Sequence, residues 1–274
     1  MLVRILVNFI YQFLYLFGIL MLVCFLVGLL EKLFYRLCGR NAHKVCIAFG
    51  FIGTPVHECG HALMCLLFGH KITEMVIFQP SSENGVLGYV THSYDRRNVY
   101  QVVGNFFIAI GPVILGTGIL VLMMFLLQRP VFDDIMYMIG SLTADPSFTP
   151  EGMLLFYVDI VAGTFRALFA VDRLMDPLWW LYLLISLSIA IHMGLSDADI
   201  KNGIVGLLAG MGVLFVLNII LVLIGGVVLD GFNAALQTAS GWAFSFLSVS
   251  LLLSAAIVLI TALLRGAARL ISKR

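Results

Sequence analysis

Charged residues fall in clumps along this chain, and long apolar runs separate the clumps. No Asp, Glu, Lys or Arg interrupts residues 5–30, 98–128, 177–196, 202–229 or 231–264. Between Lys44 and Lys71 the only one is Glu58. A helix needs about 20 apolar residues to cross a hydrocarbon core, and each of these windows is long enough. The pattern predicts an all-α polytopic membrane protein of about six transmembrane helices, near 5–30, 45–68, 103–127, 177–194, 203–229 and 243–264. The first run is too long for the apolar core of a signal peptide and lacks a small-residue cleavage site, so it is expected to be a span.

The intervening segments read differently. Ile72 to Phe78 and Val86 to His92 are rich in β-branched and aromatic residues, and Gln79-Pro80-Ser81-Ser82-Glu83-Asn84-Gly85 between them is a turn cluster. That order predicts a membrane-associated β-hairpin within 69–102. Residues 128–176 carry seven Asp/Glu against three Arg. Asp159, Gly163, Arg166, Ala170 and Arg173 form a polar or small stripe there, which predicts a helix lying in the interface rather than a seventh span. The basic tail Arg265, Arg269, Lys273, Arg274 predicts cytoplasmic termini and residence in the cell membrane. The loop Lys32, Arg36, Arg40, Lys44 points the other way.

Composition narrows the class. Of 274 residues, 61% are hydrophobic and 11% charged, where a soluble domain runs near 25% charged. Both a soluble globule and a disordered chain are excluded. A net charge of +1 gives no basic face for nucleic acid. The five cysteines Cys24, Cys38, Cys46, Cys59 and Cys65 are odd in number and form no CxxC pair, so neither a disulfide framework nor a zinc knuckle is expected. No internal repeat is visible, which argues against an inverted-repeat transporter.

The lone acidic residue of the second span sits in His57-Glu58-Cys59-Gly60-His61. Residues four apart share a helix face, so His57 and His61 can ligate one Zn²⁺, with Glu58 as general base. Random placement would give this pattern roughly 0.002 times in such a chain. Titratable groups at span depth are costly, by about 2.5–3.5 kcal/mol each, and usually functional. Cys59 faces about 200° from His57 and reads as packing.

A catalytic zinc takes a third protein ligand. Met64 and Leu67 stand where the metzincin continuation needs Gly and His. Glu74, Glu83 and Glu151 lie on no obvious helix beside another acid, and His70 lies too far along the axis. The remaining candidates are Asp197 and Asp199, after the apolar run ending His192-Met193-Gly194. Both could equally cap the helix that follows. His192, one helix face with Asp199, reads as an interhelical histidine or a group touching ligand or substrate. Asn105 and Asn218 read as interhelical hydrogen-bonding groups. Pro55 is expected to kink the second span.

The chain resembles the site-2 protease family of intramembrane zinc metalloproteases. The resemblance is carried by His57-Glu58-Cys59-Gly60-His61 with Ala62, then the hairpin, then Gly111-Pro112, then the late Asp. It covers roughly residues 45–203 as a protease-like core. Residues 1–44 would add a transmembrane helix and basic loop, and 204–274 two helices and a basic tail. It implies one Zn²⁺ per chain held by His57, His61 and Asp199, with Glu58 activating a zinc-bound water. Asp199 is chosen because Asp197 falls nearer the preceding turn. The implied partners are the lipid bilayer and a membrane-protein substrate cleaved within or near the bilayer. The alternative is a non-catalytic zinc-binding scaffold or pseudo-protease.

Overall fold

The computed structural model describes residues 1–81, 86–143 and 150–272. It is 84% helical with one two-stranded antiparallel sheet, in line with the expected all-α class. Helix α1 (Leu2–Phe13) continues through one π-helical stretch, Leu14–Gly18, into α2 (Ile19–Cys38). Gly39, at φ 57°, ends α2 with a backbone conformation that side chains other than glycine's resist. Helix α3 (Ala42–Leu67) then doubles back, so that Tyr35 of α2 and Cys46 of α3 both reach His192. Strands β1 (Lys71–Val76) and β2 (Tyr89–Ser93) form the expected hairpin, with a bulge between Ile72 and Glu74. Part of its loop lies outside the described residues.

Helices α4 (Val99–Ala109) and α5 (Gly111–Leu127) meet at a 57° bend. Then come α6 (Arg129–Thr143), α7 (Pro150–Leu168), α8 (Pro177–Ala190), α9 (Asp197–Ile224) and α10 (Gly226–Ser272). The pairs α4–α9, α2–α10 and α3–α5 pack most extensively. The main core joins Phe17, Val23, Leu120, Met124, Ile135 and Leu253. Outward faces stay apolar: Phe51 is 72% exposed and Leu126 62%. An apolar exterior of this kind suits lipid rather than water. Among the described residues four helices are long and apolar enough to cross a membrane, or five if the bent α4–α5 pair is one span. The chain is therefore a membrane-embedded helical protein.

The described residues bear out the helical membrane class, and the long apolar helices number four or five where the sequence predicts six. The expected first and second spans fall in one run of helical residues, Leu2–Leu67, which turns back at Gly39 between α2 and α3. The fourth, α8, has 14 residues, about 21 Å of helix, which is too short to cross alone. The expected interfacial segment contains Leu154–Met175, which has the length and composition of a crossing helix. Its polar stripe does not face the core. Asp159 and Arg166 are exposed, while Ile160, Thr164 and Leu168 pack inward.

Candidate metal centre

His57 and His61 lie on one face of α3, which runs as helix through Pro55. Their rings are 4.8 Å apart between centroids. Each ring is oriented by a backbone carbonyl that a helix break has released. In a continuous helix the carbonyl of residue 108 would accept from the amide of residue 112, but residue 112 is proline and has no N–H. His61 Nδ1 donates to that carbonyl, Ile108 O, at 2.8 Å. The carbonyl of His192 lies just past the end of α8 and accepts from His57 Nδ1 at 2.6 Å. A carbonyl can only accept, so both Nδ1 atoms carry the proton and both Nε2 atoms are bare in the neutral rings.

The two bare Nε2 atoms face each other at 3.1 Å. Asp199 Oδ1 stands 3.5 Å from His61 Nε2. Ligand atoms of His57, His61 and Asp199 all lie within 4.8 Å of one another. Three lone-pair donors directed at one small volume repel each other unless a cation sits among them. These three residues can therefore hold a metal ion. The fixing of each histidine through its other ring nitrogen is the usual support for a metal-binding imidazole.

Asp199 caps a helix and also stands in the group. Its Oδ2 accepts from Ser196 N at 2.8 Å and from Ser196 Oγ at 2.6 Å, while Asp199 N donates to Ser196 Oγ at 3.2 Å. This capping box opens α9. The other oxygen is left for the histidines. Asp197 is exposed and stands outside the group.

Tight packing sets the distances. A Cβ on Gly60, between the two histidines, would lie 2.6 Å from Gly111 O and 2.7 Å from Pro112 Cα. Only glycine lets α3 approach the α4–α5 bend closely enough for His61 to reach Ile108. Glu58 is 5% exposed and near enough to Asp199 for the two charges to interact. The hairpin covers it: a Cβ on Gly88 would lie 2.8 Å from Glu58 Cγ.

A cavity of about 340 Å³ opens beside the group, lined by His61, Asp199, Asn202, Asn105, His92 and Tyr94 among others. A second, apolar groove of about 280 Å³, lined by Met21, Phe25, Leu29 and Leu207, also reaches Asp199. Burial, then the neighbouring His70 and His61, hold His92 below the ordinary histidine range. His92 was not singled out from sequence. Asn105, read there as an interhelical group, lines the cavity as well. His192 is held from its side chain too, with Nδ1 2.9 Å from Ser188 O. His70 stays out of the group, as expected. Comparison with family models, with curated proteins and with solved structures yields no match.

Proposed function

We propose that this protein is an intramembrane zinc metalloprotease of the site-2 protease kind, hydrolysing a peptide bond of a membrane-protein substrate within or near the bilayer. The observation that carries the reading is the convergence of His57 Nε2, His61 Nε2 and Asp199 Oδ1 beside Glu58. Zinc suits the spacing. Two zinc ligands at 2.0–2.2 Å and a tetrahedral angle are about 3.3–3.6 Å apart, against 3.1 Å for His57 to His61 and 3.5 Å for His61 to Asp199. Three protein ligands leave a position open, as in catalytic sites.

When bound, zinc supplies Lewis acidity that activates water and polarises a carbonyl. The chain's residues do the rest. The His57 and His61 protons are held on Nδ1 by His192 O and Ile108 O, so neither ring competes as base. Glu58 takes the proton from the attacking water and returns it to the leaving nitrogen. Its burial under Gly88 keeps bulk water from that carboxylate. A substrate helix has no free backbone donors and must unwind before attack. The apolar groove at Asp199 suits an apolar segment, and β2, which lines the polar cavity, can pair with one made extended. The basic tail supports cytoplasmic termini in the cell membrane.

The test is metal analysis joined to cleavage. Purified protein should hold one zinc per chain, and Glu58→Gln should keep the zinc and lose hydrolysis. A fully active Glu58→Gln protein would sink the mechanism. Zinc retention without cleavage of any membrane substrate by the wild type would favour the scaffold reading.

A further inference from the structure

His70 and His92 take no part in the ligand group, yet one of them lines its cavity. His70 follows α3 directly and is 4% exposed. Its ring stacks on Tyr94, with centroids 4.9 Å apart and planes 18° from parallel. Its Nε2 lies 2.8 Å from Gln101 O. That carbonyl can only accept, so Nε2 carries the proton and His70 Nδ1 is bare in the neutral ring. His92 Nδ1 lies 3.0 Å from it and must be the donor. The proton of a neutral His92 is thereby held on Nδ1, and its Nε2 is bare. His92 lines the cavity together with His61 and Asp199, while its Nδ1 is engaged by His70, which does not line it; Nε2 is the ring nitrogen left for the cavity.

Asn105 on the same wall offers a second acceptor. Asn105 is 2% exposed and its Nδ2 donates to Val102 O at 3.2 Å, which leaves the amide oxygen. An extended peptide in apolar surroundings needs acceptors for the N–H groups its helix no longer satisfies. We propose that His92 is a substrate-contacting residue of this cavity, a neutral imidazole whose Nε2 accepts a hydrogen bond from a backbone N–H of the bound peptide, with His70 as the positioning residue that fixes its tautomer. The proposal rests on the metalloprotease reading, which supplies the peptide.

Two hydroxamates separate the claims, measured by calorimetry on the full-length zinc protein in detergent. Acetohydroxamate offers only the metal-binding group, and a leucyl-leucine hydroxamate adds backbone N–H groups. His92→Ala should weaken the dipeptide compound about tenfold, the worth of one hydrogen bond in a secluded site. It should leave acetohydroxamate unchanged. The N-methylated dipeptide should bind wild type and His92→Ala alike. Nitrogen NMR of the labelled rings should find His92 protonated on Nδ1. In His70→Phe, which keeps the stack on Tyr94 but has no acceptor, the proton should move largely to Nε2. Equal dipeptide affinity in wild type and His92→Ala overturns the proposal alone, as does a wild-type His92 protonated on Nε2. A wild type that binds neither hydroxamate overturns the metal reading and the proposal together.

Discussion

Replacing Gly60 by alanine should loosen the metal centre without touching a ligand. The added Cβ would stand 2.6–2.7 Å from Gly111 O, Gly111 C and Pro112 Cα, roughly 1 Å short of ordinary carbon contact. All three are backbone atoms, so no side-chain rotation relieves the overlap, and α3 must separate from the α4–α5 bend. A separation of that size stretches the 2.8 Å bond between His61 Nδ1 and Ile108 O beyond useful length. Overpacking typically costs about 1–3 kcal/mol of stability. Losing the partner that orients a ligating histidine costs about 10–100-fold in metal affinity. Competition with a chromophoric chelator would measure the second effect and thermal unfolding in detergent the first. Gly118→Ala on α5 is the control, because a Cβ there meets nothing within 4 Å. If Gly60→Ala bound zinc as tightly as Gly118→Ala, the role assigned to this crossing would be wrong.

Other outcomes follow from the same geometry. Asp199→Ala should abolish zinc binding and Asp197→Ala should keep it; the reverse pattern in metal analysis would move the third ligand. Ser196→Ala removes one partner of the capping box, a change worth about 0.5–2 kcal/mol. It should also weaken zinc binding several-fold by freeing the Asp199 carboxylate to rotate, and an unchanged chelator titration would contradict this. At the start of α8, Gln128 and the Leu178 N–H donate to Asp176 and hold its carboxyl below the usual range. A depressed carboxyl stabilises the fold above its unfolded pKa, about 3.9, and that contribution disappears as pH falls through the folded value. Gln128→Leu should therefore shift the acid-unfolding midpoint to higher pH, read by circular dichroism, and a downward shift would refute the assignment.

The candidate ligand histidines were legible because helix periodicity alone places residues 57 and 61 together. The hairpin was legible from its turn cluster. Asp199 was legible only as one of two acids, since local spacing cannot show that one oxygen caps a helix while the other faces His61. The orienting carbonyls were invisible. Pro112 announces a free carbonyl at Ile108, but nothing local says that a histidine 47 positions earlier takes it. His92 looked like an ordinary strand residue until the hairpin was set over α3. The span count is the least legible part, because apolar content is uniform along these helices. Charge gaps mark hydrophobic stretches, yet they do not tell that Leu2–Leu67 is one run of helical residues turning back at Gly39 or that α8 stops after 14 residues.

The shared duty of Asp199 ties chemistry to biosynthesis. Asp199 lies 138 positions after His61, so a growing chain carries both histidines and Glu58 long before it carries the last donor. Because that donor is set by the first turn of α9, it is in place only once this helix has started and docked on α4. A truncated or half-inserted chain would present the HExxH segment to its neighbours with the ligand group incomplete. Order of synthesis thus sets the order of the site: the candidate ligand group is complete only after α9 has begun, and it depends on that one helix end staying folded.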